Sequence, residues 1–476
     1  MTNMGFLHAF DVTHPTTTGD TSGGAELFAF MPRALISNLP ALKANGSSGR
    51  HIYGLDGPMT VLTEDVNADG VLKADDGDRV ILYFGMRRGG SAYYAMDVSN
   101  PEAPVLLWRI DPATTGFAGI GQSWSRMVLT TIQEGAEGQR KVLVFGAGYD
   151  ADQDGYSQRT ADDKGAGVYI VDAYSGELIM SFGSDASRYV AQVPEMKYSI
   201  PAEPRVVDLD DDGLADRIYL SDMGAQIWSI DLPNGGSLTD AAAYLVHRVA
   251  DLGGSGVADN RRFYYPPAVA RVMRKGAKKL AIAIGSGFRA HPLNSAITDR
   301  FFVLFDDEKK EADKLPAMIT DDSLFNLTDD LLGPGADADD IAVAKTALAQ
   351  KRGWYMTLPS GRKVISEARV LAGMVMFNAF SATGSACEGV TTRNDFYLIS
   401  LLDARALVDL DEVDENIKQD RWVTIEYSGI ATAPSLVFGD PAENEDNKPT
   451  MDIYVGQEKV WSRAEQIYKL LWKEVN

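Results

Sequence analysis

The chain has 476 residues, 45% of them hydrophobic, with 67 acidic against 45 basic side chains and a formal net charge of −22. A surface this acidic repels phosphate backbones, which excludes most nucleic-acid roles, and the greasiest run, residues 370–377, is strand-sized and too short to span a bilayer. A single cysteine, Cys387, leaves no internal disulfide and reads as a small packed core residue.

One short unit recurs along the chain: an apolar strand closing on Gly or Asp, a turn, then an aromatic-rich strand often ending in Asp. In chain order the aromatic strands fall at residues 6–11, 92–97, 168–172, 226–231, 301–306, 396–400 and 466–470. Seven copies predict seven blades. In five units a small or Pro-containing turn leads the innermost strand, at residues 125–127, 202–204, 266–268, 366–368 and 433–435. Outer strands are expected at Val105-Leu106-Leu107-Trp108 and Glu177-Leu178-Ile179-Met180. The fold class is therefore all-β, a modified seven-bladed β-propeller, with residues 1–476 as one domain. The first copy lacks its first two strands, so we expect both a longer native chain before Met1 and a last blade that closes the ring with borrowed strands. No basic segment followed by an apolar one marks a signal peptide at the start. Two insertions interrupt the pattern: a loop-rich connection at about 33–60, and an acidic stretch at about 307–352 with a helix from about Asp339 to Lys351 before the chain returns at Gly353-Trp354-Tyr355.

Three acidic loops carry candidate chemistry. The first in chain order holds Asp65, Asn67, Asp69, Gly70 and Val71, with Asp75, Asp76 and Asp78 following; Asp76 is taken as its closing carboxylate. A looser loop holds Asp150, Asp152, Asp154, Gly155 and Tyr156, with Asp162 or Asp163 as closers. The sharpest is a D-x-D-x-D-G-x-x-D loop between Arg205-Val206-Val207 and Arg217-Ile218-Tyr219-Leu220. Asp208, Asp210, Asp212, the Leu214 carbonyl and Asp216 can surround one calcium ion there, and Gly213 permits the turn. Four carboxylates this close repel one another until a cation neutralises them. Occupancy is then expected to bias the neighbouring surface at Asp222 to Gln226. For each loop the plain alternative is a solvated acidic turn. The Asp65 and Asp208 loops both join a first to a second strand and should share one face; the Asp150 loop joins a second to a third and should lie on the other.

Signals of catalysis are poor. The histidines His8, His14, His51, His247 and His291 show no metal-ligand spacing, and Gly119-Ile120-Gly121, Gly285-Ser286-Gly287 and Arg87-Arg88-Gly89-Gly90 read as blade turns. No enzyme activity is expected.

Several segments together carry a resemblance: Leu7-His8-Ala9-Phe10-Asp11, Phe28-Ala29-Phe30-Met31-Pro32, Tyr83-Phe84-Gly85-Met86-Arg87-Arg88-Gly89-Gly90, Gly146-Ala147-Gly148-Tyr149, the Asp208 loop with residues 221–228, and Gly353-Trp354-Tyr355. In this order the chain resembles the β-propeller domain of the PilY-type type IV pilus biogenesis and adhesion factors. The resemblance implies a calcium site at Asp208, Asp210, Asp212, Leu214 and Asp216 whose occupancy opposes pilus retraction. It implies pilin or minor pilin partners, contact with a host or abiotic surface, and export through periplasm and outer membrane to the pilus tip. Some members carry an Arg-Gly-Asp tripeptide, absent here, and an N-terminal domain that would precede Met1. The alternatives are an integrin-like or lectin-like calcium-dependent binding propeller, and a quinoprotein dehydrogenase; the latter family uses vicinal cysteines, and this chain has one cysteine.

Overall fold

The computed structural model describes residues 1–12, 23–46, 51–136, 138–333, 336–385, 389–410, 421–439 and 450–464. His14, Cys387 and the aromatic copy at 466–470 lie outside them. Seven sheets form among the described residues. The chain divides into two compact units. One comprises Met1–Tyr156, Thr160–Gly224 and Trp228–His247; the other comprises Ser157–Arg159, Ala225–Ile227 and Arg248–Asn476.

In the first unit a two-stranded sheet, Leu7–Phe10 with Glu26–Phe30, precedes a four-stranded meander of Met59–Glu64, Arg79–Gly85, Tyr93–Asp97 and Val105–Ile110. A five-stranded sheet follows, built from Val128–Glu134, Gly138–Gly146, Gly167–Asp172 and Leu178–Gly183, with Ala191–Gln192 added in parallel. Arg205–Val207, Arg217–Ser221, Gln226–Asp231 and Leu245–Asp251 make the fourth sheet. In the five sheets of four or more strands the aromatic copy is the third strand, and the segments read as outer strands are fourth. The first strands begin on the last residue of the expected lead turns, at Ala268 and Ser435, or directly after it, at Val128, Arg205 and Arg369.

In the second unit the sheet beginning at Ala268–Arg274 runs through Ala277–Gly285 and Arg300–Asp307 to Gly353–Thr357, with Phe301 opposite Met356. The 307–352 segment is thus an insertion between third and fourth strands. Its helix spans Ala338–Gln350, where Asp337 caps the N-terminus by accepting from Asp339 N–H at 2.8 Å, and Ala344 and Leu348 are buried. The next sheet is Arg369–Leu371, Met374–Ser385, Gly389–Ser400 and Trp422–Ile425, and the last is Ser435–Gly439, Thr450–Val455 and Glu458–Ala464. The 33–60 connection is more regular than a loop: Arg33–Asn38 forms a 3-10 turn that runs into a helix at Leu39–Ala44. Leu-, Ala- and Lys-rich sequence with Pro40 in the first turn favours that geometry.

The cores lie between faces of β-branched and aromatic side chains. In the first unit Tyr83, Tyr93, Phe145 and Tyr169 pack together with Ile81, Leu143 and Val171, all fully buried. In the second unit Phe301 stacks on Phe377 at 3.7 Å between centroids, and Phe377 on Tyr397 at 4.5 Å. Burial there pushes the Asp299 carboxyl up to about 6, although it accepts from Ser286 Oγ at 2.7 Å and Lys363, Arg261 and Arg262 pull it back down. A raised carboxyl means that the folded chain holds a proton the unfolded one has released. Its stabilisation is complete below the unfolded value near 4 and is lost as pH rises through about 6. Calorimetric unfolding at pH 4.5 and 7 should show this component disappear in Asp299→Asn, which mimics the protonated acid at both pH values. An unchanged pH difference would contradict it.

Candidate metal centre

The loop between Arg205–Val207 and Arg217–Ser221 is held from both sides. Arg205 pairs with Tyr219 and Val207 with Arg217 across the two strands. The buried Arg217 guanidinium pairs with Asp231 on the neighbouring strand, including a 2.8 Å bond from Nη2 to Oδ2, and donates to the Tyr219 hydroxyl at 3.2 Å. Ala215 N–H donates to the Thr131 carbonyl at 2.9 Å, and Leu232 N–H to the Asp216 carbonyl at 2.7 Å. A stiff frame therefore presents a short acidic turn.

Inside that turn Asp208 accepts from the backbone N–H of Asp210 at 3.2 Å, Asp211 at 2.7 Å and Gly213 at 2.8 Å. Asp216 Oδ2 accepts from Leu209 N–H at 2.6 Å. Asp211 and Gly213 both take left-handed conformations, φ +65° and +88°, which fold the turn back on itself; at Gly213 a side chain would be strained. Among the described residues, carboxylate oxygens of Asp208, Asp210 and Asp216 lie within 4.8 Å of one another. Burial, then the carboxylates of Asp210, Asp208 and Asp212, push the Asp216 carboxyl above its usual range against the pull of Leu209 N–H. Three convergent, all-oxygen ligands suit a hard cation. Asp212 stands outside this trio: it is exposed, and its Oδ1 accepts from Leu214 N–H at 2.8 Å.

The Asp65 loop repeats the same construction. Gly70 N–H donates to Asp65 Oδ2 and Val71 N–H to Asp69 Oδ1, both at 2.8 Å, matching Gly213 to Asp208 and Leu214 to Asp212. Ala68 and Gly70 take the left-handed conformations of Asp211 and Gly213. The closing position differs from the expectation. Asp78, not Asp76, accepts from Val66 N–H at 2.8 Å as Asp216 does from Leu209, while Asp76 pairs with Lys73 at 4.0 Å. The reason is geometric. Lys73 occupies the Asp216 position of this loop, and a 3-10 turn at Ala74–Asp76 carries the chain back so that Asp78 arrives instead. The N–H groups of Lys73 and Val66 hold its carboxyl below the usual range. Asn67 bonds within the loop to Asp69, and Asp65 Oδ1 is sealed from solvent without a hydrogen-bond partner in the structure.

The Asp150 loop is built differently. Asp154 is engaged by Arg88 through two bonds of 2.7 and 3.1 Å and by the Tyr149 hydroxyl at 2.5 Å. Asp150 turns to the N–H groups of Asp152, Asp163 and Lys164. Asp162 is occupied by Gln153 and Ser199. The carboxylates of Asp150, Asp152 and Asp154, with Tyr156, are thus not brought together as a cation shell; a guanidinium neutralises Asp154 instead. Strand order puts the Asp65 and Asp208 loops at first-to-second-strand turns and the Asp150 loop at a second-to-third-strand turn, the opposite end of its sheet. Residues 222–226, expected as a responsive surface, are buried; Asp222 accepts from Gly224 N–H at 2.9 Å and the Trp228 indole at 3.0 Å. Sequence reading named Asp78 but took Asp76 as the closer, and read Arg88 as a turn residue; the spacing of the loops alone points to neither partner.

The family model for the PilY1 β-propeller domain matches residues 1–251. The chain belongs to the PilY1 β-propeller family. It is 27% identical over 231 residues to the type IV pilus biogenesis factor PilY1 of Pseudomonas aeruginosa UCBPP-PA14, covering 48% of this chain and 16% of that protein. To a PilY1 homologue of Xylella fastidiosa Temecula1 it is 24% identical over 403 residues, covering 79% of this chain and 24% of the homologue. The chain thus spans between about a sixth and a quarter of these relatives. The crystal structure of the Pseudomonas aeruginosa PilY1 C-terminal domain superposes with a TM-score of 0.62 at 17% identity, covering 97% of this chain and 91% of that one, which establishes a shared fold. The match to a PilY1 β-propeller and the seven sheets bear out the expected fold class. No helix of the described residues is long and apolar enough to cross a membrane.

Proposed function

We propose that this chain is the single propeller domain of a calcium-binding type IV pilus biogenesis factor, in which calcium held by the 208–216 loop regulates pilus extension against retraction. The observation that carries the reading is the convergence of Asp208, Asp210 and Asp216 within 4.8 Å on a rigid two-strand frame. The Leu214 carbonyl and, after a rotation away from Leu214 N–H, Asp212 complete the shell. The loop of Asp65, Asn67, Asp69 and the Val71 carbonyl is a second, weaker site closed by Asp78; the buried, unpartnered Asp65 oxygen supports it. The factor acts at the cell surface, at the pilus tip, with pilin or minor pilin partners and an adhesive role toward host or abiotic surfaces. Its relatives are named as pilus biogenesis factors, which favours a binding role over catalysis.

Calcium converts the loop from a self-repelling turn to a locked one, so its occupancy biases whatever surface the loop contributes. Cells carrying Asp208→Ala in the full-length protein should lose surface pili and regain them when the retraction motor is deleted. Unchanged piliation, or a loss that persists without the motor, would contradict regulation of retraction.

A further inference from the structure

We propose that Asn234 is a site of spontaneous deamidation, and that its conversion places a new carboxylate in the groove bordering the 208–216 loop. Asn234 lines that groove together with Asp212, Asp216 and Gln133. It is exposed, in a bend outside any strand or helix that follows the third strand of its sheet. The residue after it is Gly235, with φ +75°; an added Cβ would lie 3.3 Å from the Gly135 carbonyl, so this position favours glycine. Among the described residues the Asn234 amide makes no hydrogen bond and Gly235 N–H donates none, whereas Gly236 is anchored through its carbonyl by Gly135 N–H at 3.5 Å.

Asparagine is thermolabile, and glycine after it removes the steric barrier to ring closure. The Gly235 backbone nitrogen gives its proton to a solvent base and attacks Asn234 Cγ. A nitrogen–carbon bond forms, the Cγ–amide bond breaks, and the amide leaves as ammonia with a proton from water. Water then opens the cyclic imide at either carbonyl, giving aspartate or isoaspartate. Both products carry a carboxylate, and no oxidant or reductant is consumed. An N–H already committed to a backbone hydrogen bond would resist the first step; Gly235 N–H has no such commitment.

The sequence contains one other Asn-Gly pair, Asn45-Gly46, where Asn45 lies just after the Leu39–Ala44 helix. It serves as a control, because it caps a helix in a segment separate in sequence from the three acidic loops. The consequence at Asn234 rests on the calcium reading above: cation affinity rises with the charge around the ion, so conversion tightens binding.

The test has two arms. The full chain is incubated at mildly alkaline pH and mapped by peptide mass spectrometry. A gain of one mass unit at Asn234, absent in Asn234→Gln, is the expected result; an Asn234 that stays intact while Asn45 converts would overturn the site. In calorimetry with calcium, Asn234→Asp should bind about 3- to 10-fold more tightly than the parent, with Asn45→Asp unchanged. Equal affinity of Asn234→Asp and parent, in a chain whose binding is abolished by Asp208→Ala, would overturn the coupling alone. Absence of calcium binding in every variant would instead sink the calcium reading, while a mass gain would leave the modification site standing.

Discussion

On the proposed calcium reading, Asp208→Ala is expected to weaken the tightest calcium-binding event by at least about 100-fold, or about 2.7 kcal/mol. The expectation follows from the double duty of this carboxylate. Asp208 is one of three converging carboxylates, and it also accepts from three backbone N–H groups that shape the turn. Alanine deletes a ligand charge and the scaffold of the other two. Asp208→Asn separates the roles: it retains an acceptor for the backbone and removes the charge, so weaker binding with an intact loop would identify the charge as the cause. By linkage, the parent should gain about 2.7 kcal/mol of stability at calcium concentrations 100-fold above its dissociation constant. The Asp208→Ala variant should gain at most about 0.4 kcal/mol at that concentration. Calorimetric titration reads the affinity and thermal unfolding reads the gain; a variant that kept the parent's tightest event would exclude the loop as the site.

A second large effect is expected in the core of the second unit. Trp354→Ala should destabilise the second unit by about 3–5 kcal/mol. Trp354 is fully buried, sits opposite Val303 across paired strands, packs near Phe301 and donates its indole N–H to the Leu401 carbonyl at 3.0 Å. Its loss opens a cavity and orphans a buried acceptor at once. Trp422, 40% exposed, is the contrast: Trp422→Ala should cost a small fraction of this. Denaturant unfolding of the two variants beside the parent measures the difference, and equal losses would contradict the core assignment.

Much of this architecture was legible because the sheets alternate between long apolar strands and turn residues. The aromatic strands could be placed to within a few residues, since a third strand buried on both faces must be apolar throughout, as at Val168 to Val171. The lead turns located every first strand they preceded. The helical connection at Arg33–Ala44 was obscured by its brevity, with too few turns for periodicity to register. Within the acidic loops, carboxylates expected together do converge where spacing alone fixes the geometry and do not where another residue intervenes. Asp208, Asp210 and Asp216 converge because all lie within one nine-residue turn. The closer of the Asp65 loop depended on a 3-10 turn just downstream of the motif, and the fate of Asp154 on Arg88, 66 residues away in sequence. Local pattern carries no information about such partners. The burial of residues 222–226 was missed for the opposite reason: Ser221, Asp222 and Gln226 look polar and solvated, but the Trp228 indole and backbone N–H groups satisfy Asp222 inside the fold.

The central claim is tested most directly by a crystal structure of the chain grown in millimolar calcium, with anomalous scattering to identify the ion. The expected result is a single calcium ion in the 208–216 loop, within about 2.3–2.6 Å of oxygens from Asp208, Asp210, Asp216 and the Leu214 carbonyl, with Asp212 rotated toward it from its present bond to Leu214 N–H. A loop that keeps its present hydrogen bonds and shows no anomalous peak at saturating calcium would contradict it.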